Sequence, residues 1–378
     1  MTGVSRAIFG AACFLTALLA VFRAPEYHLW MLALAVTEWG HGLAVLSLLS
    51  FYPGWRRSVG GRAGAALGLA AALLALTPLL RGNTRALEVP LEMERAFGST
   101  TVTRPPFSWK RLILGVPTPA VRESAELFAR SCGDELFLQL YRPNSVSRHL
   151  PVVIVVHGGS WQSGSRRELS DLSRYLASRG YAVASVDYGL APRTVFPGPV
   201  EDIRDAIAFL RRHALEWSLD MDRVVLLGRS AGGQIALAAA HDAQPMPGIK
   251  GVVVFYAPND LFFSWSVPGP KRIIDSRRLL RQYLGGSPAE EPERYAQASP
   301  LLRAGARSPA TLMIHGGRDE LVWSIHENRL AEKLKAAGVA HYYLDLPWAT
   351  HGCDYNFRGP CGQISTYAIE RFLAYSLR

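Results

Sequence analysis

Gly228-Arg229-Ser230-Ala231-Gly232 sets a serine between glycines, after an apolar run (Val224 to Leu227) and before an alanine-rich stretch ending at Ala240. The pattern alone is weak, because Gly and Ser are common residues. Its setting makes it informative. A strand that turns sharply into a helix lifts a serine hydroxyl clear of its surroundings, and only small neighbours such as Gly228 and Gly232 fit so tight a turn. The start of the helix also directs backbone N–H groups at developing negative charge. A serine hydroxyl becomes a strong nucleophile only when a base takes its proton and an acid holds that base. Asp319, in HGGRDELV, and His351, in WATHGCDYN, follow Ser230 in the order serine, acid, histidine, each just past a β-like run. The expectation is Ser230 as nucleophile, His351 as general base and Asp319 as its orienting acid. Asp345 lies within a strand-like run and Asp354 beside the histidine, so both are weaker candidates. His157, His315, His326 and His341 read as turn, helix-face or strand residues.

Acyl transfer also needs donors for the oxyanion. The amide of Ala231 is one. The loop His157-Gly158-Gly159-Ser160-Trp161 follows the apolar run PVVIVV and is expected to supply others, from Gly158, Gly159 and Ser160. Glycine there lets the backbone approach a substrate carbonyl closely.

These residues need a scaffold, and the chain from about Glu135 provides one. ELFLQLYRP, PVVIVV, YAVASVDY, RVVLLG, GVVVFY, PATLMIHG and HYYLDLP read as strands. Helical patterns separate them, such as residues 200–215 with Ile203, Ala206, Ile207 and Leu210 on one face. Alternating strands and helices imply a doubly wound, mostly parallel α/β sheet with its site at the carboxyl ends of the strands. Residues 135–378 are thus expected to form the catalytic domain, and 259–305 a lid or pocket segment. Phe262, Phe263 and Trp265 within it either line an acyl pocket or pack.

Residues 1–81 differ in character. Three apolar stretches, about 7–22, 29–52 and 63–80, are each near the ~20 residues that cross a bilayer, so a three-helix transmembrane region is expected. The first has no small-residue cleavage site after it and reads as a retained span rather than a signal peptide. Glu38 and His41 lie one turn apart in the second span and must face other helices or each other. They either fix the packing by a hydrogen bond or serve function. Arg56, Arg57 and Arg62 between spans two and three favour the cytoplasmic side. That makes the chain a multi-pass protein of a bacterial inner membrane, with the catalytic domain periplasmic or extracellular. Residues 82–134 read as a connector, with Arg85 to Phe97 as an amphipathic helix near the bilayer.

The net charge of +10 is carried by scattered arginines, several flanking apolar runs, with no nucleic-acid motif. Four cysteines include no C-x-x-C pair, which argues against a structural zinc site. Cys353 and Cys361 either bridge, in an oxidising compartment, or remain free thiols.

HGGSW with Gly164, DYGLAP (Asp187 to Pro192), GRSAGG, HGGRDELV and THG together resemble the hormone-sensitive-lipase-like and feruloyl-esterase-like branch of the α/β-hydrolase superfamily. The resemblance covers about Glu135 to Arg378. It implies the α/β-hydrolase fold and cleavage of a carboxylic ester through an acyl-enzyme, with no metal or cofactor. It also implies that Gly159 and Ser160 carry the amides nearest the substrate. Ser160 stands where a last glycine is usual, Arg229 where Asp or His is frequent, and Gly189 where Arg is common. The joined membrane region is similar to that of plant methylesterases of prenylated cysteine and makes lipid-like esters plausible substrates. An acyltransferase or peptidase on the same scaffold, and a catalytically silent membrane scaffold, are the alternatives. Oligomeric state is not encoded legibly.

Overall fold

The computed structural model describes residues 2–100, 102–145, 149–242 and 244–378. Among these, the strands β1 (Arg122–Ser131), β2 (Asp134–Arg142), β3 (Leu150–Val156), β4 (Ala182–Val186), β5 (Leu219–Arg229), β6 (Ile249–Phe255), β7 (Ala310–Gly316) and β8 (His341–Leu346) form one sheet. Their order is β1-β2-β4-β3-β5-β6-β7-β8. The hairpin β1–β2 is antiparallel, as is β2 against β4, and the remaining pairs are parallel. This is the α/β-hydrolase architecture.

The apolar runs dictate the arrangement. All seven residues of β3 and all five of β4 are buried, as expected where helices cover both faces of a sheet. One face packs against the helices Gly198–Arg212, Ala231–Ala240 and Ile325–Ala336, the other against Ser170–Ser178 and Pro360–Ser376. Register then aligns the strand ends. Val156 pairs with Gly228, Arg229 with Phe255, Phe255 with Ile314 and Gly316 with Leu346. The residues that follow β3, β5, β7 and β8 therefore emerge side by side.

Among the described residues, three long helices precede the sheet, α1 (Gly3–Leu18), α2 (Tyr27–Leu48) and α3 (Val59–Phe97), followed by the short helix Trp109–Leu114. The segments Tyr27–Phe51 and Val59–Phe97 are long and apolar enough to cross a membrane, whereas α1, at 16 residues, is shorter. Small residues set the packing. Gly3 lies against Gly60 and Gly10 against Gly64, so α1 and α3 run the same way. Gly40 lies against Ala75, and Gly68 against Ser47 and Ser50, so α2 runs oppositely.

The connector expected over 82–134 is corrected by these elements. The third helix does not stop near residue 80. It continues to Phe97, burying Leu79, Gly82, Ala86, Val89, Met93 and Phe97 at helical spacing against the sheet's second core. Arg85 donates to the Asp345 carbonyl (3.1 Å) and the Tyr342 hydroxyl (3.0 Å). Residues 85–97 thus pack one face on β8. The same span of sequence also holds β1, joined to β2 through Cys132 and Gly133, both at positive φ (47° and 87°) as a tight two-residue hairpin requires.

Glu38 is buried, and its hydrogen bonds reach the α/β domain. Its carboxylate accepts from the Cys361 amide (3.3 Å) at the start of the helix Pro360–Ser376, and its carbonyl accepts from Asn356 Nδ2 (2.8 Å). It serves as the cap that Gly359 cannot provide. Cys353 and Cys361 form a disulfide.

Candidate active site

Ser230 occupies the turn between β5 and the helix Ala231–Ala240, with φ 51° and ψ −121°. An L-residue adopts that backbone only when its surroundings enforce it. Here the enforcement is close packing: a Cβ on Gly232 would collide with the Val156 and His157 carbonyls, and one on Gly228 with the Gly232 carbonyl.

The register of the sheet brings the other candidates to this turn. Ser230 Oγ lies 2.9 Å from His351 Nε2, and His351 Nδ1 lies 2.6 Å from Asp319 Oδ2. Asp319 Oδ1 accepts from the amides of Leu321 (2.8 Å) and Val322 (2.9 Å), which fixes the carboxylate's orientation. Burial opposes ionisation of Asp319, but the facing His351 and His315 rings overcome it and hold the carboxyl well below its ordinary range. Such a chain can move a proton from the serine hydroxyl to the imidazole while the carboxylate stabilises the imidazolium.

The HGGSW loop stands opposite. A Cβ on Gly158 would sit in ordinary contact, 3.5 Å, with Ser230 Cβ. Gly159, Ser160 and Trp161 all have positive φ (108°, 54° and 61°). Ser160 therefore keeps the left-handed turn that a glycine would take freely, at a cost of about 1–2 kcal/mol. The amide of Ala231 opens its helix and has no partner within it. Residues of DYGLAP brace the loop: Asp187 accepts from the Arg166 amide (2.8 Å) and guanidinium (2.6 Å), and the Tyr188 hydroxyl donates to the His157 carbonyl (3.1 Å).

Comparison with known proteins adds a family. The BD-FAE family profile matches residues 138–334, just over half of the chain. The chain belongs to the BD-FAE family. Similar curated proteins include Esterase LipC of Mycobacterium tuberculosis, 32% identical over 227 residues, 56% of this chain and 55% of that one. Another is a probable isoprenylcysteine alpha-carbonyl methylesterase of Arabidopsis thaliana, 29% identical over 227 residues, 57% of this chain and 48% of that one. The chain thus spans about half the length of the curated relatives it matches. Among solved structures, carboxyl esterase 2 of Tuber melanosporum superposes with a TM-score of 0.57 at 24% identity, over 68% of this chain and 88% of that one. That likeness carries the fold.

In this BD-FAE chain the competing acids, and the competing bases other than His315, have surroundings of their own. Asp354 is buried between Arg229 Nε (2.5 Å) and the Tyr256 hydroxyl (2.5 Å). Burial pushes the Tyr256 phenol well above its ordinary value, and the Asp354 charge adds to the shift, so it acts as a donor. Its ring lies 4.2 Å from that of His351. Burial pushes His326 down to about 3 and keeps it neutral. His157 stacks on Tyr188 at 4.3 Å. His341 Nδ1 faces the Val339 carbonyl at 2.7 Å, and Asp345 is half-buried in β8.

Sequence reasoning missed three groups. His315 Nε2 lies 3.1 Å from Asp319 Oδ2, and its Nδ1 lies 2.6 Å from Glu327, an ion contact without good hydrogen-bond alignment. Burial disfavours the charged ring, but Glu327 and Asp319 push its pKa up to about 10. Arg229 pairs with Asp354. Gln234 accepts from Trp161 Nε1 (2.9 Å) and the Tyr283 hydroxyl (3.0 Å) and donates to the Ala298 carbonyl (2.8 Å). Phe262 and Trp265 pack on Tyr295, and Phe263 on His326, so they serve as packing.

Proposed function

We propose that this chain is a membrane-anchored carboxylesterase whose triad is Ser230, His351 and Asp319. The observation that carries the reading is the unbroken chain of contacts from Ser230 Oγ through His351 to Asp319. As Ser230 Oγ attacks an ester carbonyl carbon, its proton passes to His351 Nε2. The amides of Gly158, Gly159, Ser160 and Ala231 hold the resulting oxyanion. Collapse breaks the bond to the alcohol oxygen, which takes the proton back from His351, and the acyl group stays on Ser230. Water then attacks with His351 again as base, releasing the acid. No step calls for a metal or cofactor.

α2 and α3 are read as spanning a membrane, with α1 packed beside them as the third span. The first and third helices run alike, so the N-terminus and the α/β domain lie on opposite sides. Arg56, Arg57 and Arg62 mark the distal end as cytoplasmic. The Cys353–Cys361 disulfide favours an oxidising compartment for the domain, outside a bacterial inner membrane. The roof of the site, within residues 259–305, is read as the lid.

The test is labelling of the full chain in membranes by a fluorophosphonate, alongside turnover of p-nitrophenyl esters. Wild type is expected to label and turn over, and Ser230→Ala to do neither. Labelling that survives Ser230→Ala removes the assignment.

A further inference from the structure

Two chambers meet at Ser230. Both are lined by Ser230, His351, Ser160, Ile274 and Leu321. The smaller, about 40 Å³, is closed in by Trp161, Leu279, Leu280, Val322 and Trp323. One water needs about 10–15 Å³ on this measure, so the space admits only a few heavy atoms beyond the carbonyl. The larger, about 320 Å³, runs past Gly158 and Gly159 to Tyr27 and Trp30 of α2.

α2 is thus part of the site's wall and one of the two helices fit to cross a bilayer. Its exposed face is apolar along its length, through Leu29, Leu32, Trp39, Leu46 and Leu48. Tyr27 and Trp30 stand at its domain end and line the mouth of the larger chamber. The turn before α2 is locked to the segment that carries Asp319. Glu320 accepts from the Ala24 amide (2.9 Å), Arg318 donates to the Leu19 carbonyl (3.0 Å) and also to that of Phe22, and the Arg23 guanidinium lies over Trp323. The chamber and the helix keep a fixed relation.

We propose that the larger chamber is an entrance from the bilayer, and that the substrate is a short-acyl ester of a long-chain, membrane-resident alcohol. The acyl group occupies the smaller chamber, and the alcohol lies along α2. The order of bond breaking sets that orientation. The alcohol departs while the acyl group remains bonded to Ser230 until water arrives. The departing half therefore takes the wide chamber, which then admits the water. This inference rests on the esterase reading above.

Hexadecyl acetate and ethyl hexadecanoate have the same formula and reverse the ester. The full chain in phosphatidylcholine vesicles is expected to hydrolyse the acetate at least about tenfold faster, the discrimination a tight apolar pocket provides. Tyr27→Ala, at a half-exposed ring, and Trp30→Ala are expected to lower turnover of hexadecyl acetate relative to soluble p-nitrophenyl acetate. A fall of about tenfold in that ratio suits loss of an aromatic wall. Equal rates for the isomers, a preference for ethyl hexadecanoate, or an unchanged ratio in both variants overturns the inference while p-nitrophenyl acetate is still cleaved. No cleavage of p-nitrophenyl acetate overturns the esterase reading itself.

Discussion

Two buried aspartates lie close to His351, and their partners give them different work. Asp319 faces the imidazole directly, whereas Asp354 neutralises Arg229 and accepts from Tyr256. Asp319→Asn is expected to lower kcat by about 10⁴-fold, because the amide cannot hold the right tautomer or stabilise the imidazolium. Asp354→Asn is expected to act on stability instead, costing about 3–5 kcal/mol by leaving a buried guanidinium unpaired. Denaturant titration and esterase assays on both variants check this, and an Asp354→Asn protein of normal stability would count against it. His315 carries a second expectation. Its pKa rises from an ordinary 6.5 to about 10 on folding, so its contribution is complete below about pH 6.5 and is lost as pH rises through 10. His315→Gln should therefore flatten the alkaline fall in stability, measured by denaturant titration from pH 6.5 to 10. That Ser230, Asp319 and His351 come together was legible because each follows an apolar strand run. Arg229 with Asp354 was not, since a contact across 125 residues leaves no spacing to read.

At the level of elements, the HGGSW loop depends on a helix and on the segment above it. Gln234 is fully buried and joins Trp161, Tyr283 and Ala298, while Trp161 stacks on Tyr283 at 4.6 Å. Gln234→Leu removes an acceptor shared by two buried donors and the donor to one carbonyl. Each group left unpaired costs about 1–3 kcal/mol. The expected outcome is a clear drop in thermal midpoint with p-nitrophenyl acetate turnover lowered through a displaced Trp161. A midpoint equal to wild type would refute the role. The central strands were legible as continuous apolar runs. Strand β1 was not, because Glu123, Glu126 and Arg130 interrupt its apolar pattern, as suits the exposed edge of a sheet. A helix over 85–97 was read from the sequence, but its continuity with the apolar stretch before it was not. Its inward stripe begins with Gly82 and Ala86, whose small side chains give weak amphipathic signal yet permit close contact, as where Gly82 meets Pro360 and Trp348.

For the molecule as a whole, the boundary suggested by composition is not the boundary of the folded unit. The apolar change near residue 81 marks where α3 gains charged residues, not where a domain begins. Leu79, Val89, Met93 and Phe97 are buried in the same core as Ile364, Ile369 and Phe372 of the C-terminal helix. Burial of each large apolar side chain stabilises by roughly 1.5–3 kcal/mol. Four together approach the whole net stability of a typical domain, about 5–15 kcal/mol. A chain starting at Glu135 loses these side chains, β1 and the Glu38 cap, and exposes the second core. It is expected to aggregate and to show no cooperative unfolding. A chain starting at Val59 keeps α3 and β1 and should fold in detergent. Without Ala24 and Glu38 it leaves Glu320 and the Cys361 amide unpartnered, so it should melt below the full chain. Thermal unfolding of the three chains in one detergent decides the matter. Cooperative unfolding of the Glu135 chain would show that the α/β domain folds without the N-terminal helices, whereas the expected ranking makes α3 a structural element of the domain.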